Sequence, residues 1–174
     1  MIERFRVAPG SVTAVQVFGG DRLEVIDHHG RQPAELTVLA SDPRAVVGAR
    51  PDAPATVLRR LVGGPDENGY AAGRILKLLS RHRIDQGDAV ATRLFDEGSA
   101  AGARARFAID NDAVVLVAAP AAPMRLSADD PNPPSEVVVE VRRADPSRPE
   151  PQELPQPLAE PLWDMHIDAS TASS

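Results

Sequence analysis

The chain has 174 residues, 43% of them apolar but only 3% aromatic, so Ala, Val and Leu must fill one core through many small contacts. A net charge of −6 and a pI near 5.2 argue against a general binder of phosphate backbones. The absence of Cys removes disulfides, thiolate nucleophiles and thiolate-held zinc or iron–sulfur sites.

Met1 to Arg6 lacks the apolar stretch of a secretory signal. The longest apolar run, Ala113 to Ala122, is interrupted by Pro120 and falls far short of the roughly 20 residues that cross a bilayer. The expectation is a cytoplasmic chain that engages neither membrane nor nucleic acid.

Ser11 to Phe18 alternates apolar and polar residues as a strand does, and Gly19-Gly20-Asp21 supplies a turn. Leu23 to Ile26 and Glu35 to Ala40 read as two more strands, and the short Gly-containing turns predict an antiparallel meander. The pattern then changes period. Pro54 to Leu61 has helical spacing, with Pro54 suited to a first turn, and Gly63-Gly64-Pro65 ends it. Tyr70 to His82 carries an apolar stripe of Ile75, Leu76, Leu78 and Leu79 opposite Arg74, Lys77 and Arg81, which predicts a second helix.

Strands are predicted again over Ala89 to Phe95, Ala103 to Ile109, Ala113 to Ala119 and Val137 to Val141, with Asp110-Asn111-Asp112 as a hairpin turn. The fold class is therefore mainly β, a β-sandwich or distorted barrel with one or two inserted helices, over residues 1–144. Six prolines between Pro146 and Pro161 predict an extended linker over residues 145–161. Residues 162–174, with Trp163 and His166, read as the lead-in to a following domain.

The richest polar cluster is Asp27-His28-His29-Gly30-Arg31-Gln32. Asp27, His28 and His29 would offer a carboxylate and two imidazoles to a metal, joined by His82 in a metal-dependent hydrolase. Neighbouring residues of an extended chain point to opposite faces, however, which favours a plain polar turn. A second reading puts Arg31, Gln32 and Glu35 at the mouth of a pocket for a small amine- or guanidine-like ligand. The chain has no Gly-x-Ser-x-Gly elbow, and Gly63-Gly64-Pro65 lacks the Lys-Ser/Thr of a phosphate-binding loop.

The stretch Asp21 to Leu36 resembles the opening hairpin of the urea-carboxylase-associated family. That family pairs an apolar-x-Asp-x-x-Gly-x-Gln turn (here Val25, Asp27, Gly30 and Gln32) with an acidic residue shortly after, here Glu35. Asn132 to Arg143 and Leu162 to Ser174 are similar to segments of the large fusions of that family to a folate-binding aminomethyltransferase domain. Among those fusions are the trimethylamine N-oxide demethylases, aldolases that release dimethylamine and formaldehyde. The resemblance implies zinc held by cysteines and an aspartate in a catalytic module, with tetrahydrofolate bound by another. Here Glu35 stands at the matching carboxylate position, and the cysteines have no counterpart. It therefore implies a non-catalytic structural or assembly module that carries no cofactor of its own. Its partners would be catalytic and folate-binding domains beyond Ser174, a separate partner chain, or further copies of itself.

Overall fold

A computed structural model describes residues 1–42, 44–63, 69–120 and 135–147, with residues 69–71 described by backbone only. The elements in chain order are β1 (Ile2–Val7), β2 (Ser11–Val17), β3 (Arg22–Asp27), β4 (Ala34–Leu39), β5 (Val46–Val47) and β6 (Ala53–Pro54). Then come helices α1 (Thr56–Val62) and α2 (Gly69–Arg81), a 3-10 turn (Gln86–Asp88), β7 (Val90–Leu94), β8 (Ala103–Ile109), β9 (Ala113–Ala119) and β10 (Val137–Arg142).

The strands form two antiparallel sheets, ordered β1-β10-β3-β8-β5 and β2-β9-β4-β7-β6. The fold is thus a sandwich. Successive strands change sheet at every connection except the helical one from β6 to β7. The order 2-9-4-7 facing 3-8-5 is that of a jelly roll, here extended by the β1–β10 pair.

This corrects the expected meander. β2, β3 and β4 do not pair with one another, and Asp110-Asn111-Asp112 joins β8 to β9 across the sandwich rather than as a hairpin. Gly and Asp announce that the backbone reverses; they do not say which sheet receives the next strand.

Alternation sorts β9 between two cores. Ala113, Val115, Val117 and Ala119 face the space between the sheets, while Val114, Leu116 and Ala118 face a layer made by Leu58, Ile75, Leu78 and Leu79 of the helices. All seven residues are consequently buried. The helices cover the outer face of the second sheet, and the outer face of the first carries charged side chains. Pro54, expected inside a helix, instead pairs with Val90 at the sheet edge. Proline is tolerated there because an edge strand can forgo one amide donor.

The β2–β3 corner is held by a buried ion pair. Asp21 accepts from Phe18 N and, at 2.8 Å, from the Arg143 guanidinium, while its other oxygen accepts from Ala144 N. Arg143 also donates to Glu3 and lies 5.5 Å from the Phe18 ring centroid. Burial disfavours the charged guanidinium, but hydrogen bonds and attraction from Glu3 and Asp21 outweigh this and raise its pKa further. The cluster ties the segment after β10 to the first corner. Arg143→Leu, which leaves the Asp21 carboxylate buried without its cation, is expected to cost about 3–5 kcal/mol in urea unfolding. The double variant D21N/R143L should recover part of that loss. A penalty below about 1 kcal/mol for the single variant would show that the pair does not hold the corner.

Candidate functional site

The segment from Asp27 at the end of β3 to Glu35 at the start of β4 carries the metal and ligand candidates read from the sequence apart from His82; His166 lies outside the described residues. Asp27, the last residue of β3, is fully buried. One carboxylate oxygen accepts from Gly30 N at 2.8 Å and the other from Gln32 N at 2.9 Å. Its carbonyl accepts from Gly102 N, and Arg31 N donates to Ser99 O, so the turn is stitched to the β7–β8 crossover. Gly30 has a φ of +80°, and a Cβ there would stand 2.6 Å from Ala101 N. Only glycine fits so close to that backbone.

His28 and His29 are exposed at the tip of the turn, in surroundings unlike those of Asp27. Gln32 is buried; its amide nitrogen donates to Pro33 O and Pro120 O, and its oxygen accepts from Ser135 N. It thereby fastens three segments together. The Arg31 side chain donates to Glu97 O. Glu35 faces the other way, toward the helical layer, where its carboxylate accepts from Val57 N at 2.9 Å. Ala55 precedes α1 without a capping side chain, and Glu35 supplies the missing acceptor from a neighbouring strand.

The Asp27/His28/His29 set therefore occupies different environments, and Arg31, Gln32 and Glu35 each have partners of their own. Among the described residues no three His, Asp or Glu side chains stand close enough to share a metal ion. His82 follows α2; partial burial, then the nearby Arg81, depress its pKa and favour the neutral ring. The space between the sheets, offered by sequence as a ligand pocket, is filled by apolar side chains such as Leu23, Leu36, Phe107 and Val115.

A concavity of about 560 Å³ lies elsewhere, on the outer face of the first sheet. Its lining includes Arg22, Glu24, Arg106 and Arg142. Glu24 receives hydrogen bonds from Arg106 at 2.6 Å and Arg104 at 2.9 Å. Sequence reasoning weighed only Glu24 among these, as a carboxylate to pair with Asp27 or Glu35, and passed over the arginines. The available signal was charge recurring at every second position of a strand, as in Arg4/Arg6, Arg22/Glu24, Arg104/Arg106 and Glu140/Arg142. Burial raises the Glu24 pKa, but its bonds to Arg106 and attraction from Arg104 and Arg106 outweigh this and hold the carboxyl below the usual glutamate range.

These features define a jelly-roll sandwich with one helix-covered sheet and one charged sheet. No family model matches the chain. By sequence it is similar to the trimethylamine-oxide aldolase of Ruegeria pomeroyi, at 28% identity over 177 aligned positions that cover 99% of this chain. The chain spans 22% of that relative's length.

Two outcomes follow. Asp27→Ala is expected to lose about 2–4 kcal/mol in urea unfolding, because two buried amides lose a charged acceptor. His28→Ala and His29→Ala should each change stability by less than about 0.5 kcal/mol. An unchanged unfolding midpoint in D27A would show that the carboxylate does not hold the turn. For Glu24 the folded pKa lies below the unfolded one, so its contribution is present above the unfolded value and lost as pH falls through the folded value. The stability difference between wild type and E24Q should therefore shrink on acidification below about pH 4 to 5 and in concentrated salt. A difference constant across that range would show that the ion pairs contribute nothing.

Proposed function

We propose that this chain is a structural and assembly module that works beside demethylase or aldolase chemistry without performing it. Zinc and tetrahydrofolate would be held by other domains or by a partner chain. The supporting observation is the use already made of the acidic groups that the family resemblance singles out. Both Asp27 oxygens accept backbone amides, and Glu35 caps a helix. A zinc cage needs several lone pairs directed at one point, from thiolates, imidazoles or carboxylates. Cysteine is absent from the sequence, the two exposed histidines are adjacent in the chain, and the nearby carboxylates are engaged with backbone. This donor set does not fit the ion.

The similarity to trimethylamine-oxide aldolase supplies the chemical context, and the short span of that relative covered by this chain is consistent with a part of a larger machinery. Most of the proline-rich segment 145–161, and all of 162–174, lie outside the described residues.

The test is direct. Purified chain, assayed with and without added zinc, is expected to bind the metal substoichiometrically and to release no formaldehyde from trimethylamine N-oxide. Stoichiometric zinc accompanied by formaldehyde release would remove the assembly reading in favour of an enzyme complete in itself.

A further inference from the structure

We propose that the outer face of the first sheet is a docking face for an acidic, extended polypeptide segment of a partner, laid across the strands over Arg142 and Arg22. This names the contact surface for the assembly role proposed above and rests on it. Register pairs Ile2 with Arg142, Arg142 with Arg22, Arg22 with Ala108 and Ala108 with Val47. One row across five strands thus reads apolar, cation, cation, apolar, apolar. Like charges directly opposite on neighbouring strands are unfavourable in a sheet standing by itself. Arg22 and Arg142 form no ion pair with any described residue, unlike Arg4, Arg104 and Arg106 beside them. Ile2 and Val47, towards the two ends of the row, are each 47% exposed.

Charge sets the occupant's sign. In a chain of net charge −6, this face carries Arg4, Arg6, Arg22, Arg104, Arg106 and Arg142 against Glu24, Glu136 and Glu140. Shape sets its kind. A free small anion would satisfy the two guanidiniums and leave both apolar ends in water. An extended segment satisfies all of the row. Five strands at about 4.8 Å spacing span roughly 19 Å, the reach of about seven extended residues, whose alternate side chains all point to the sheet. An apolar–acidic–acidic–apolar series at every second position, about 6.7 Å apart, spans the row from Ile2 to Val47 and follows its order of apolar and cationic groups, the long arginine side chains taking up the difference in spacing.

The probe is the fluorescein-labelled peptide Leu-Ser-Glu-Ser-Glu-Ser-Leu, titrated with the full chain by anisotropy at low salt. The charge-reversed peptide with Lys in place of Glu and inorganic phosphate serve as comparisons. The acidic peptide should bind at least about tenfold more tightly than the basic one, and R22E/R142E should weaken it by about tenfold or more with an unchanged melting temperature. Because both arginines are exposed, the double variant should fold; R22Q is the milder variant if it does not, with a smaller loss in the same direction. Absence of binding, equal binding by the variants, or displacement by equimolar phosphate would overturn the polypeptide occupant. Formaldehyde release by the chain would instead remove the assembly role, so the two failures are read from different assays.

Discussion

Because nearly every connection in this fold passes from one sheet to the other, the chain must repeatedly turn at the rim of the sandwich, where sheet ladders cannot satisfy the backbone. Carboxylates take that task. Asp21 accepts from Phe18 N and Ala144 N, Asp27 from Gly30 N and Gln32 N, and Asp112 from Gly19 N. Asp52 accepts from Arg93 N, and Glu35 accepts from the start of α1. An unmade hydrogen bond at a buried amide costs about 1–3 kcal/mol, comparable to a large share of a domain's net stability. The acidic excess of the chain is therefore in part an architectural requirement, and its net charge is a poor guide to what it binds.

That requirement changes the meaning of the Asp-x-x-Gly-x-Gln pattern. Each of its fixed residues has a mechanical reason to be what it is. Asp27 reaches two amides of its own turn, Gly30 passes against the backbone of the β7–β8 crossover, and Gln32 bridges Pro33, Pro120 and Ser135. A resemblance carried by such a turn speaks to shared architecture more than to shared chemistry. The two histidines at its tip are the positions that the fold constrains least.

Much of the architecture was legible because β-strands of this chain announce themselves by period. Ala103–Ile109 and Ala113–Ala119 fall where the alternation and the Asp-Asn-Asp turn put them, and α2 begins and ends within a residue of the helix read over Tyr70 to His82. Strand pairing was not legible, since β9 joins β2 and β4 across long sequence separations that no local pattern encodes. β1 escaped because Glu3, Arg4 and Arg6 dilute its apolar content; Glu3 belongs there as a partner of Arg143, some 140 positions away. For the candidate site, the polar cluster was visible but its use was not. Whether a carboxylate serves a ligand or a backbone amide depends on how the backbone closes around it: Asp27 is taken by amides three and five residues on in its own turn, and Glu35 by an amide 22 residues on, at the start of a helix.

The two outer faces show how one alternating code yields opposite surfaces. In the second sheet the outward positions of β9 and β4 are Val114, Leu116, Ala118 and Leu39, and a helical layer closes over them. In the first sheet the corresponding positions of β3, β8 and β10 are held by Arg22, Glu24, Arg104, Arg106, Glu140 and Arg142, and among the described residues no helix covers them. The carboxylates there are matched by neighbouring guanidiniums, so Glu24 and Glu140 account for Arg104, Arg106 and Arg4. Among the described residues Arg22 and Arg142 have no such carboxylate. A solvated face needs charge for solubility, yet it gains nothing from two cations set directly opposite each other between exposed apolar neighbours. An acidic group laid between Arg22 and Arg142 would relieve that repulsion, which is the physical ground on which the proposed docking face stands.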